Sequence, residues 1–145
     1  MAITRQSPNT VHLGGPVTVV NDLAASEAIT PGHLIERFNS SGTIRFRKHT
    51  GTSLAGSIYA TEQNMLNLGV DDAYAANDLV EAVVGAPGAT IWALIASGQN
   101  IAAGNDMESA GNGTLKVYSS GVKIATALEN KPTVTVTTRI RVEVV

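Results

Sequence analysis

The most constraining stretch lies at the C-terminal end: Val134-Thr-Val-Thr-Thr-Arg-Ile-Arg-Val-Glu-Val-Val145. Val134, Val136, Ile140, Val142 and Val144 are separated by Thr135, Thr137, Arg139, Arg141 and Glu143. A period of two is a strand's and not a helix's. Alternation this long predicts one buried face, carrying the five aliphatic residues, and one wet face. Such a strand on an open edge would template aggregation. It is therefore expected either to be paired on both sides or to join another subunit.

The rest of the chain divides into short apolar runs cut by Gly, Asn and Pro, too short for stable helices and suited to tight turns. Ile91 to Ala96 and Thr114 to Tyr118 read as strands, with breaks at Ser97-Gly98 and Gly111-Asn112-Gly113. One pattern recurs. Ile29-Thr-Pro-Gly-His-Leu-Ile-Glu36, Tyr74-Ala-Ala-Asn-Asp-Leu-Val-Glu81 and Ile101-Ala-Ala-Gly-Asn-Asp-Met-Glu108 share an apolar start, a Gly or Asn and a closing Glu. Their spacing is irregular, which excludes a solenoid. They read as one β-turn solution used three times, each feeding a short strand.

Other elements follow from the same reasoning. Val17 to Val20 is a short strand, and Leu23 to Ala28 has room for one helical turn before Thr30-Pro31-Gly32 stops it. His33–Phe38 and Thr43–Lys48 flank Asn39-Ser-Ser-Gly42 as a hairpin, with Ile44 and Phe46 alternating with Arg45 and Arg47. Gly51 to Tyr59 is rich in small residues and ends in a strand, Gly56 to Ala60. Thr61 to Leu68 suits a helical turn or two, capped by Thr61 and stopped at Gly69. Leu79 to Val84 is read as strand, Lys123 to Leu128 as another, and Glu129 to Pro132 as a turn. Residues 1–16, rich in breakers, are expected to form an extended N-terminal arm, with residues 17–145 as one domain.

Composition supports a thin β-fold. Of 145 residues, 43% are hydrophobic but only 4% aromatic, which suits close backbone packing rather than a bulky core. A net charge of −2 argues against a nucleic-acid partner. No cysteine is present, which excludes disulfides and thiolate chemistry. MAITRQSPNT lacks the apolar core of an export leader, and no apolar run reaches membrane-span length, so no membrane partner is expected.

Chemistry is sparse. His12, His33 and His49 have no metal-ligand spacing, and the acidic residues lack the alternation of a calcium loop, so no metal and no cofactor is expected. No serine lies in a nucleophile elbow and no glycines form a phosphate loop, so no enzyme is expected. Arg45, Arg47, Lys48 and His49 form one basic cluster, and Arg139 with Arg141 a second; they read as solvated strand faces or as contacts for an acidic protein surface. Asn39-Ser-Ser41 and Asn112-Gly-Thr114 match the glycosylation sequon but read as turns. Trp92 is read as core.

The chain resembles the head decoration, or capsid-cementing, proteins of tailed double-stranded-DNA bacteriophages. The resemblance rests on Asn21-Asp-Leu-Ala-Ala-Ser-Glu-Ala-Ile-Thr-Pro-Gly-His-Leu-Ile-Glu36, on Ala93 to Lys116, and on the Gly- and Ala-rich, Cys-free composition. It implies an all-β, small barrel- or sandwich-like domain of the β-tulip type with irregular loops. It further implies a homotrimer on the outer surface of the expanded capsid, partnered with the phage major capsid protein and bracing neighbouring subunits against DNA pressure. On that reading the candidate capsid contacts are Thr4, Arg5, Gln6, Ser7, Val11, His12, Arg45, Arg47 and Lys48. Val134, Val136, Ile140, Val142 and Val144 are the candidate core or trimer strand. The alternative is a β-rich module of a phage tail or fibre that binds a cell-surface glycan, for which Trp92, Tyr59, Tyr74 and Tyr118 are a thin aromatic supply.

Overall fold

Short runs and frequent positive-φ residues leave the chain one way to build a core, by folding strands back over one another. The computed structural model describes residues 8–51 and 56–145, and within them it is all β. The strands are β1 (His12–Gly14), β2 (Val17–Val20), β3 (Leu34–Ser40), β4 (Thr43–Lys48), β5 (Ile58–Ala60), β6 (Ala82–Gly85), β7 (Thr90–Ile95), β8 (Asp106–Gly111), β9 (Thr114–Val117), β10 (Ala125–Ala127) and β11 (Thr138–Val144).

They form two sheets. The first runs β1-β7-β11-β10-β8-β9, and β9 returns to β7 through a parallel pairing of Ile95 with Leu115. Strands β7, β11, β10, β8 and β9 therefore close into a small ring, with β1 laid along β7. Closure removes open edges and leaves an interior that side chains alone can fill. Ile91, Ile95, Met107, Leu115, Ile140 and Val142 fill it, all fully buried. The terminal alternation ends up paired on both sides, by β7 and β10.

The second sheet runs β2-β6-β5-β3-β4, all antiparallel. Its side chains divide by period two. Leu34, Tyr59 and Val83 join the core of the first sheet, while Ile35, Ile58, Ala60 and Ala82 face a second core with Phe46. Irregular chain covers that second core: Ala25, Ile29, Tyr74 and Val80 pack there. The covering segments are tied by bridges between Ala24 and Leu79, Ile29 and Tyr74, and Ala25 and Phe46.

Several expectations are corrected. The terminal strand begins at Thr138, not Val134: the backbone of Val134 is bonded to Gly98 and Gln99 and the chain bends at Val136 before the pairing with β7 starts. Val134 is still buried, but Val136 lies outside the strand and is 68% exposed. Leu23 to Ala28 makes no helical turn, because its backbone bonds go to Phe46, Asp78 and Val80. The strand read from Leu79 starts at Ala82. The helical turn is a single 3-10 turn, Asn64–Leu66, ended by Asn67 at φ 54° rather than by Gly69. Trp92 is half-buried beneath the Arg139 guanidinium, 5.2 Å from the ring centre, rather than in the core.

Main chain joins the sheets at Leu94 N–H on Gly32 O (3.0 Å) and at the β8–β9 tip. The β8–β9 tip, Asn112-Gly113, has two positive-φ residues, the signature of a type I′ turn. It is seated against the base of the β3–β4 hairpin: Leu34 N–H donates to Gly113 O at 2.8 Å, and Gly113 N–H to His49 O at 3.1 Å. A Cβ on Gly113 would lie 2.9 Å from Leu34 O, at φ 73°. Gly113→Ala is therefore expected to cost roughly 2 kcal/mol or more of stability through strain and steric overlap. Urea unfolding midpoints will check this.

A second clamp is Arg139. Its Nε and Nη2 donate to Pro31 O at 3.1 and 3.0 Å, Nη2 also to Val70 O at 2.5 Å, and Nη1 pairs with Asp71 at 2.9 Å. Planar fork geometry underlies this reach. Arg139→Lys keeps the charge but cannot span these acceptors, and a loss of about 1–3 kcal/mol is expected in the same assay.

Candidate interaction surfaces

The three-fold motif seen in the sequence is one structure. In each copy the fourth residue has positive φ: Gly32 at 98°, Asn77 at 75° and Gly104 at 92°. A turn closes around it, with His33 N–H on Thr30 O, Asp78 N–H on Ala75 O and Asn105 N–H on Ala102 O. The side chain after the turn then accepts the N–H that opens it. His33 Nδ1 takes it from Thr30 at 3.0 Å, Asp78 Oδ2 from Ala75 at 2.8 Å and Asn105 Oδ1 from Ala102 at 2.9 Å. Three different acceptors serve one geometry.

The closing glutamates each anchor a neighbouring turn. Glu36 pairs with Arg47 at 2.7 Å and accepts from Thr50. Glu81 accepts the N–H groups of Asn64 and Met65, holding the 3-10 turn. Glu108, 3% exposed, accepts from Ser119 Oγ, Ser120 N–H and Gly121 N–H and pairs with Lys116 at 3.2 Å. Burial works to raise the Glu108 pKa, but these donors outweigh it and hold the carboxyl down to about 2.

His33 shifts in the same direction for a different reason. Burial first, then the charges of Lys48 and Arg139, lower its pKa from 6.5 to about 4. The unfolded chain thus takes up a proton that the folded chain refuses. Stability is full above pH 6.5 and is lost as pH falls from 6.5 towards 4; the Glu108 contribution is lost lower, between 4.5 and 2. His33→Asn keeps an acceptor of the kind Asn105 supplies. It is expected to flatten the melting temperature between pH 6.5 and 4 and leave the lower decline intact.

The expected contact residues fall into three groups. Thr4, Arg5, Gln6 and Ser7 lie outside the described residues. Val11 and His12, read above as part of an arm, are held in the fold. Val11 is fully buried, its N–H donates to Glu62 Oε2 at 3.0 Å, and its carbonyl accepts Trp92 N–H at 2.8 Å. Glu62 also accepts from Thr10 Oγ1. His12 sits in β1.

The basic cluster is brought together on the β3–β4 hairpin, but its charges are engaged at home. Arg47 pairs with Glu36, Lys48 with Glu27 at 3.4 Å, and Arg45 donates to Asn77 Oδ1 at 2.6 Å. Arg141 likewise pairs with Glu129. Arg37, which the clustering of Arg45 to His49 overlooked, is exposed and has no ion pair among the described residues; it stacks on Phe46 at 5.4 Å. β5 pairs only with Leu34 and Ile35, and the segment around Ala25 pairs with β4 at Phe46, so the hairpin is a two-stranded ribbon beyond that, from Phe38 to Arg45. Asn39 Oδ1 accepts Gly42 N–H at its tip, as its turn reading expects.

A Ser-His-Glu arrangement also forms from residues distant in sequence. Ser109 Oγ lies 2.8 Å from His49 Nδ1, and His49 Nε2 lies 3.5 Å from Glu36 Oε2. His49 Nδ1 already accepts Gly51 N–H at 3.0 Å, Ser109 Oγ accepts Gly111 N–H at 3.3 Å, and the histidine is 1% exposed. This geometry bolts the seated β8–β9 tip to the hairpin and presents no nitrogen to a substrate.

On the outside, Met65 (83% exposed), Leu66 and Leu79 line a groove of about 300 Å³ with Asn21, Asp78 and Glu81. Val19 on the edge strand β2 is also exposed. Apolar exposure gathered in one place marks a contact surface more than isolated apolar residues do.

No protein-family model matches the sequence, and no curated protein matches it significantly. Among solved structures the chain is similar to the head fiber gp8.5 N base in bacteriophage phi29. The TM-score is 0.60 at 9% sequence identity, and the match covers 90% of this chain and 95% of that one. At that identity the likeness is one of fold, and it spans nearly the whole of both chains.

Proposed function

We propose that this protein is a structural component of a tailed-phage head. It binds the outside of the expanded capsid as a trimer and cements neighbouring major capsid subunits against internal DNA pressure. The observation that carries the reading is the likeness of fold to a head fiber base, over 90% of this chain and 95% of that one. The sequence resemblance to head decoration proteins points the same way. Weak contacts repeated over a lattice gain by multivalency, so no single deep site is needed.

The shell-facing surface is assigned to Thr4, Arg5, Gln6 and Ser7 together with Arg45, Arg47 and Lys48 of the β3–β4 hairpin. Its ion pairs are partly exposed, with Arg47 36% and Lys48 26% accessible at the side chain, so such pairs can be exchanged for partner carboxylates at little cost. Val11 and His12 support the sheet rather than the contact.

Co-sedimentation tests the reading. The purified protein is mixed with expanded, DNA-filled heads of its phage and, separately, with compact precursor heads. Saturable binding to the expanded heads and little to the precursor is expected. Removing residues 2–7 should weaken that binding while leaving the melting temperature unchanged. Absence of binding to either kind of head overturns the proposal.

A further inference from the structure

The chain's charges are distributed unevenly. Between Lys48 and Lys116 there is no Lys or Arg, while Glu62, Asp71, Asp72, Asp78, Glu81, Asp106 and Glu108 all fall there. The apolar groove belongs to this region, and Asp78 and Glu81 line it beside Met65, Leu66 and Leu79. Among the described residues neither carboxylate has an ion pair; they accept backbone N–H groups instead. The groove therefore offers an apolar floor with negative charge at its side. An occupant that fits brings an aliphatic side chain next to a cation.

The β3–β4 ribbon carries such an element. On the β3–β4 ribbon Ile44 pairs with Asn39 and Arg37 with Phe46, so Ile44 and Arg37 share one face as diagonal neighbours. Ile44 is 47% exposed, although its alternation with Arg45 and Arg47 is that of a half-buried strand. Arg37 has no carboxylate partner among the described residues and stacks on Phe46 instead. Two grooves placed face to face would instead set Asp78 and Glu81 against their own copies, which is repulsive.

We infer that the groove receives the β3–β4 ribbon of a second copy, with Ile44 seated between Met65, Leu66 and Leu79 and Arg37 placed against Asp78 and Glu81. The contact joins unlike surfaces, so each copy offers both halves, and copies engage either reciprocally as a pair or head to tail, as a ring where the rotation between them closes. This rests on the self-association part of the proposed function and is independent of head binding.

The native absence of cysteine makes the test clean. Ile44→Cys and Met65→Cys are made as separate variants; both positions are solvent-exposed, so the fold is retained, and circular dichroism verifies it. The two variants, mixed in equal amounts under mild oxidation, are expected to form a disulfide-linked pair at least about tenfold faster than either variant alone. Added salt should slow that cross-linking, since the Arg37 contact is partly exposed. Light scattering should give the wild type a mass at a multiple of 15.0 kDa, and Met65→Glu should reduce it to a single chain. Cross-linking in the mixture no faster than in the separate variants, or a wild type of one-chain mass, overturns the inference. Neither result bears on whether the protein sediments with heads.

Discussion

The seating of the β8–β9 tip against the base of the β3–β4 hairpin is the contact on which the arrangement of the two sheets depends. Three main-chain bonds link Leu34, His49 and Gly113, the donor of one residue meeting the acceptor of the next. Backbone groups buried at a junction must be paired somewhere, and here each sheet satisfies the other. The His49–Ser109 hydrogen bond closes the same junction with side chains. With the junction fixed, Leu34, Tyr59 and Val83 can serve as one wall of the first core while their strand neighbours face the second. A chain with so few aromatic residues gains from this economy: the second sheet contributes to both cores.

The second organising device is a local turn with a buried or anchored glutamate at its end. It lets long irregular segments cover the second core without regular secondary structure, because each turn supplies its own hydrogen bonds. Charges are treated the same way. Most guanidinium and ammonium groups among the described residues have partners within the chain, whereas Arg37 has no carboxylate partner and Asp78 and Glu81 in the groove have no cation. That asymmetry is a property of the folded surface; a formal charge of −2 conceals it.

Much of this was legible in the sequence. The β11 alternation, the β3–β4 hairpin and the three turn copies were readable because period two and positive-φ residues are local signals. Where the reading failed, tertiary pairing decided. Leu23 to Ala28 has helical potential, but its backbone is claimed by Phe46, Asp78 and Val80. Val11 looked like part of a loose arm because one buried valine and a distant glutamate leave no periodic trace. Val134 and Val136 fit the alternation, yet the backbone of Val134 is claimed by Gly98 and Gln99 and the chain bends at Val136, which no local signal announces. The Ser109, His49 and Glu36 arrangement spans three elements, so spacing along the chain could not reveal it. Arg37 was overlooked because it lies apart from the Arg45–His49 cluster and is significant only once its neighbours' ion pairs are known.

The order of strands has a consequence for how the molecule is made. The second sheet uses only β2 to β6, a continuous stretch from residue 17 to residue 85, whereas the ring needs β1 in place along β7 and β11 inserted between β7 and β10. Every strand of the second sheet is present once the chain has been made as far as residue 85, whereas the ring lacks β11 until the last residues are made. The second sheet is thus a natural early unit, with Leu34, Tyr59 and Val83 exposed as a template on which the ring condenses last. Until β11 arrives, the outer edge of β7 is open, and that interval is when this chain is most prone to associate wrongly.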